Sequence, residues 1–189
     1  MKKKMYMIKL TNLVKLILLL IKIMETEHSI YFYGVKGDYG FCSNFYKCKF
    51  ECFINNNIVL FNCSEQYFMY YKCITFDPTN QELLNMILKE TNPVKIKALG
   101  RKVQNFDEHI WTSKKYFIML NGLYYKFSQN PLLKEKLLNT SNKKLYEAAP
   151  RDRIWGIGFS AEKAINVDIS KYGSNLLGIA LMEIRYKFK

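Results

Sequence analysis

The chain has 189 residues, 49% of them hydrophobic, which is enough for one domain with a real core. Its formal net charge is +13; six of those charges are lysines within residues 1–23, which hold no acid, so the rest carries +7. That balance suits a phosphate-bearing ligand or weak nucleic-acid contact without demanding either, while two histidines (His28, His109) and five cysteines without a CxxC pair exclude a zinc-ligand set.

Residues 1–27 read as a basic and apolar leader. A lysine cluster precedes Leu13-Val14-Lys15-Leu16-Ile17-Leu18-Leu19-Leu20-Ile21. The outline is that of a signal peptide, but Lys22-Ile23-Met24-Glu25-Thr26-Glu27 supplies no small-residue cleavage site. The uninterrupted run from Leu16 to Ile21 is far below the roughly 20 residues that span a bilayer, so no stable membrane insertion is expected. A dispensable extension, or a true start at Met24, fits better. Cys42, Cys48, Cys52, Cys63 and Cys73 suit reduced, mostly buried thiols in a cytoplasmic protein.

Residues 28–189 read as one domain. Ile30–Tyr33 is a short aromatic strand, followed by a glycine-marked loop from Gly34 to Gly40. Residues 48–54 and 57–62 form two strands around a turn at Asn55-Asn56-Asn57. Ser64, as an N-cap, opens a helix that ends before Asp77-Pro78. Its Glu65 sits in the first turn, where the helix dipole favours a carboxylate. Glu65, Phe68, Met69 and Lys72 share one helix face. An acid and a lysine two turns apart on that otherwise apolar face belong either to a site or to a solvated rim.

Residues 80–90 form a second helix. Asn92-Pro93 caps and opens a third, through about Val103. Asp107 caps a long helix to about Phe127, with Phe117, Leu120, Leu123, Tyr124 and Phe127 at core spacing. Asn130-Pro131 starts another, through Leu138. Leu145–Ala149 is a strand leading into Arg151-Asp152-Arg153-Ile154-Trp155-Gly156-Ile157-Gly158. There a tryptophan can stack on a base or cover a sugar, and Gly156 and Gly158 let backbone N–H groups approach a ligand. Taken alone, that segment reads equally well as a polar turn beside a core tryptophan. Lys171–Asn175 opens the last helix, whose first N–H groups form a candidate anion site. Many helices with few strands, not alternating as βαβ units, make the class α+β: a single, mostly helical domain.

In order, these pieces resemble the NADAR family, named for its links to NAD and ADP-ribose. The matching stretches begin with Tyr33-Gly34, Ser43-Asn44-Phe45-Tyr46 and Ser64-Glu65-Gln66-Tyr67-Phe68 with Lys72. Asn92-Pro93, Leu99-Gly100-Arg101, Trp111, Lys126-Phe127 and Leu137-Leu138-Asn139-Thr140 follow. Glu147-Ala148, Asp152, Trp155-Gly156-Ile157-Gly158, Asn175-Leu176-Leu177-Gly178 and Arg185 complete the set. The resemblance covers roughly residues 30–188. It implies an N-glycosidase that cleaves the bond between C1′ of a ribose and a nitrogen. Two substrate classes go with it: phosphoribosylamine intermediates of riboflavin synthesis, and ADP-ribose attached to guanine in DNA or RNA. A module that binds ADP-ribose without chemistry is the alternative.

Cleavage builds positive charge on C1′ and the ring oxygen, which a fixed anion stabilises. Glu65 is the candidate for that anion or for the general base. Asp152, between two arginines, is a poor proton donor and a better binder of a ribose hydroxyl or water. Lys72 either holds a phosphate or, desolvated by Tyr67, Phe68, Tyr71 and Trp155, attacks C1′ of a ring-opened sugar as a Schiff-base amine. Arg101 and the start of the last helix at Asn175 would hold phosphates. Trp155 and Tyr46 would pack on base or sugar, Asn44 would bond sugar hydroxyls, and neither metal nor cofactor is required.

Overall fold

A computed structural model describes residues 25–189; the expected leader and the start at Met24 lie almost wholly outside the described residues. The described chain is mixed α+β, with seven α-helices and four short strands. It divides into two compact units, one of residues 25–32 and 142–178, the other of residues 33–141 and 179–189.

The first unit is built on two strands far apart in sequence. Strand β1 (Ser29–Phe32) pairs in parallel with β4 (Lys144–Glu147), in the register Ser29↔Lys144 to Phe32↔Glu147. Strand β4 is thus shifted from the expected Leu145–Ala149, because Ala149 turns back to bond the Glu147 carbonyl. Tyr31, Ala148, Ile157 and Ala164 form the small core here. The Tyr31 and Tyr146 rings stack at 5.3 Å, and the Tyr172 hydroxyl donates to the Ala164 carbonyl at 2.8 Å. That hydroxyl fixes a four-residue helix, α6 (Ala161–Ala164), too short to leave a periodic pattern in the sequence.

The second unit opens with a hairpin of β2 (Phe50–Ile54) and β3 (Asn57–Phe61). Asn55 and Asn56 both adopt positive φ, 47° and 63°, as a two-residue turn matched to strand twist requires, and Asn tolerates that region best after Gly. Phe50, Cys52 and Ile54 alternate inward and join Phe61 and Tyr67 in the core. Helices α1 (Ser64–Phe76), α2 (Gln81–Lys89), α3 (Pro93–Gly100), α4 (Glu108–Ser128) and α5 (Pro131–Leu138) follow. Asn80, Asn92 and Asp107 cap α2, α3 and α4 with side-chain oxygens.

Two boundaries differ from expectation. Helix α3 stops at Gly100 rather than near Val103, because the N–H groups of Arg101 and Lys102 fold back onto the carbonyls of Ala98 and Leu99 in a tightened last turn. Ser64 is the first helical residue and not the cap: Cys63 holds that position, and the fully buried Ser64 Oγ has no hydrogen-bond partner. The start of α1 is tied instead through Gln66, whose side chain accepts from Asn62 N–H at 2.8 Å and donates to the Ile87 and Glu90 carbonyls.

Helix α1 lies close to α4 because Gly122 carries no side chain; a Cβ there would meet the buried Tyr67 ring at 2.7 Å. Gly122→Ala therefore overpacks a rigid ring and costs about 1–3 kcal/mol. A fall in the urea midpoint with an unchanged m-value would register that cost. Helix α7 (Leu176–Lys187) begins in the first unit and continues into the second.

Candidate functional site

In the second unit the acid of the expected pair is well enclosed. Glu65 is only 5% exposed, in the first turn of α1, so the solvated-rim reading of this face fails. Its backbone N–H donates to the Asn44 carbonyl at 3.0 Å, which joins two of the expected site residues by main chain. Asn44 is itself 92% buried, yet its side-chain oxygen has no hydrogen-bond partner. A buried acceptor left unpaired is uncommon in a native fold, and a ligand donor is one way to satisfy it.

Seven residues along α1, Lys72 donates from Nζ to the Gly100 carbonyl at 3.0 Å. Its ammonium lies 4.2 Å from the centre of the Phe106 ring. Partial burial, helped by the nearby Arg101 charge and opposed by Glu108, holds the Lys72 amine below the ordinary lysine range. The expectation of a desolvated Lys72 holds in direction, but the ring beneath it is Phe106; Phe68 packs in a tilted arrangement against Trp111, and Tyr67 against Tyr71. Arg101 is exposed at the end of α3. Tyr46, with Val35, Phe45, Lys47, Pro93 and Val94, lines a cavity of about 490 Å³.

The first unit holds Asp152, Trp155, Gly156, Gly158 and Asn175. Asp152 is half-buried, and its Oδ1 accepts the N–H groups of Ile154 at 2.9 Å and Trp155 at 2.8 Å, closing the loop on itself. Gly156 serves the fold: a Cβ there would meet the Glu147 carbonyl at 2.8 Å, and its own carbonyl accepts from Asn175 N–H. Gly158 sits at φ +78°, a conformation that favours glycine.

The anion site expected at the last helix is not available. Its leading N–H groups are consumed by carbonyls of the preceding loop: Gly173 on Ile157, Ser174 on Arg153, Asn175 on Gly156, Leu176 on Ile154 and Leu177 on Trp155. The Asn175 side chain donates to the Leu145 carbonyl at 2.9 Å and accepts Glu147 N–H at 3.0 Å, bracketing β4 rather than a phosphate. Gly173 lets this seam close, since a Cβ would lie 2.5 Å from the Arg153 carbonyl and 2.6 Å from that of Gly156.

Sequence reasoning passed over several buried polar groups. Lys126 is fully buried at the end of α4. Arg185, 6% exposed, donates to Thr140 Oγ1 at 2.7 Å. Their signal was present as a charge on the apolar stripe of a helix, which reads as exposed because lysine and arginine are rarely buried. Among the described residues, no helix is long and apolar enough to cross a membrane.

The NADAR domain profile matches residues 31–189. N-glycosidase R617 of Acanthamoeba polyphaga mimivirus is 39% identical over 86% of this chain and 97% of its own length. Protein irg-1 of Caenorhabditis elegans is 38% identical over 76% of this chain and 73% of its own. The solution structure of Escherichia coli YbiA superposes with a TM-score of 0.67 at 28% identity, covering 87% of this chain and 86% of that one. The chain belongs to the NADAR family, and its class is that of a hydrolase acting on N-glycosyl bonds.

Proposed function

We propose that the chain hydrolyses the C1′–N bond of a ribose-phosphate or ADP-ribose conjugate. The observation that carries this reading is the enclosed Glu65 carboxylate on a helix start, bonded through its own N–H to Asn44, whose buried Oδ1 awaits a donor. A carboxylate in that setting suits the stabilisation of a cationic sugar or the activation of water. A ribose hydroxyl supplies the donor that Asn44 lacks.

Lys72 has two alternative roles. As a cation beside Arg101 it receives a phosphate. As a neutral amine it attacks C1′ of a ring-opened sugar, the base departs with a proton, and water later releases the imine and restores the amine. Asp152 is assigned to a sugar hydroxyl or water, and Trp155 to packing on base or sugar. Tyr46 packs on base or sugar.

The two substrate classes are separated by product. ADP-ribosylated guanine in an oligonucleotide would yield free ADP-ribose and restored guanine. Phosphoribosylamine intermediates of riboflavin synthesis would yield free ribose phosphate. Relatives named riboflavin biosynthesis proteins, from Vibrio vulnificus at 29% identity and from Arabidopsis thaliana at 29%, favour including the second substrate from the start. Binding of ADP-ribose with no product from either substrate would make the protein a reader rather than an enzyme.

A further inference from the structure

Lys126 is a buried charge that the proposed chemistry does not use. None of its surface reaches solvent. Its ammonium donates to the carbonyls of Phe41 at 2.7 Å and Ser43 at 3.0 Å, and lies 5.7 Å from the centre of the Tyr46 ring. The side chains nearest in charge are the thiols of Cys42, Cys48 and Cys63. Burial pushes Cys42 up to about 12 and Cys63 to about 11, so they are neutral at ordinary pH and offer no counter-ion. Burial likewise pulls the Lys126 amine down. Enclosing an ammonium with carbonyl dipoles and the faces of the Tyr46 and Phe127 rings, and no counter-ion, is costly, and a leucine or methionine would fill the same space without that cost.

What the charge secures is a tight stretch of main chain. Residues 40–46 turn twice: Ser43 N–H donates to the Gly40 carbonyl and Tyr46 N–H to that of Ser43, while Phe45 N–H bonds the Ser43 hydroxyl. Lys126 gathers the Phe41 and Ser43 carbonyls of this turn. The next residue is Asn44, whose carbonyl receives the Glu65 N–H.

We propose that Lys126 is a positioning residue: it fixes the Phe41–Tyr46 turn and so sets the Asn44 side chain, and through the Asn44 carbonyl the first turn that carries Glu65. This rests on the reading of Asn44 and Glu65 as substrate-facing groups. One buried cation then aligns two functional residues that come from different elements, through three consecutive contacts.

The test is a double-mutant cycle with an independent structural readout. Lys126→Met keeps the volume and removes the charge, and it lowers kcat/KM for base release by roughly 10- to 100-fold, as loss of alignment does. Asn44→Ala alone lowers it as well. Asn44→Ala removes the side chain and keeps the carbonyl that holds Glu65, so if Lys126 acts partly through the Asn44 side chain the double variant loses less than the product of the two single losses; losses that multiply in full overturn that route. Amide exchange is read in parallel: in Lys126→Met the Glu65 N–H exchanges roughly 10-fold faster or more, while amides in the middle of α4 are unchanged. Uniform acceleration across the chain also overturns it, since the lysine then only stabilises the fold. Lys126→Gln retains an N–H donor, recovers part of the activity, and serves if the methionine variant does not fold. Failure of both to fold assigns Lys126 to stability alone. If the parent protein releases no base from either substrate, the reading of function fails, while the Glu65 exchange result still decides the positioning role.

Discussion

Glu65→Gln lowers turnover by about 10²-fold or more while leaving ADP-ribose affinity within a few-fold of the parent. Glutamine preserves the shape, the helical position and the backbone N–H bond to Asn44, while it removes the negative charge and turns one acceptor oxygen into a donor. In an enclosed first turn that charge works against a low local dielectric and is not screened as a surface carboxylate would be. The measurement is base release at saturating substrate, with a thermal melt to confirm an intact fold. Turnover equal to the parent removes Glu65 from the mechanism and leaves it a structural acid. Asn44→Ala is expected to act differently. It removes an acceptor for a substrate hydroxyl present in both ground and transition states, so it shows mainly as a raised KM.

Lys72→Ala abolishes any adduct trapped by borohydride, and the parent protein shows how that adduct depends on pH. Burial holds the Lys72 amine below its ordinary value of 10.5, so the neutral nucleophile accumulates at a lower pH than in a free lysine. Trapping therefore rises with pH through a midpoint below 10.5. The sign carries over to stability: between the folded and unfolded values the unfolded chain binds more protons, so this group makes folding more favourable as pH rises through that window. Lys72→Arg separates the two roles, because arginine keeps the charge for a phosphate and cannot form the imine. Retained turnover in that variant, with no adduct in the parent, assigns Lys72 to phosphate binding.

Much of the second unit is legible in the sequence because its signals are local. Asn55-Asn56 between two strand-like runs gives a hairpin. Asn92-Pro93 and Asp107 name the starts of their helices from a side chain that bonds its own next turn. The face shared by Glu65, Phe68, Met69 and Lys72 follows from helix geometry alone. What escaped depends on residues distant in the chain. The parallel pairing of Ser29–Phe32 with Lys144–Glu147 joins segments more than a hundred residues apart. Ser64 looked like a cap by type, but the chain entering α1 places Cys63 there. Gly173, Ser174 and Asn175 looked like free donors because nothing local could satisfy them, and the carbonyls that do lie some 16–21 residues earlier. Lys126 followed helical core spacing, but its chemical type argued for solvent, and only the carbonyls of Phe41 and Ser43 explain its place.

The seam between residues 153–157 and the start of α7 is made of main chain on both sides. Its carbonyls are supplied by whatever residues occupy the loop, so the seam's hydrogen bonds do not themselves require the side chains of Ile154 or Trp155, which are 48% and partly exposed. Scaffold and contact chemistry are thereby separated. Substitution at these two positions can retune what the loop meets while the backbone stays in register, whereas a single methyl added at Gly156 or Gly173 disturbs the path itself. A library randomised at residues 154 and 155 and held constant at 156 and 173 is the natural route to altered substrate preference in this chain.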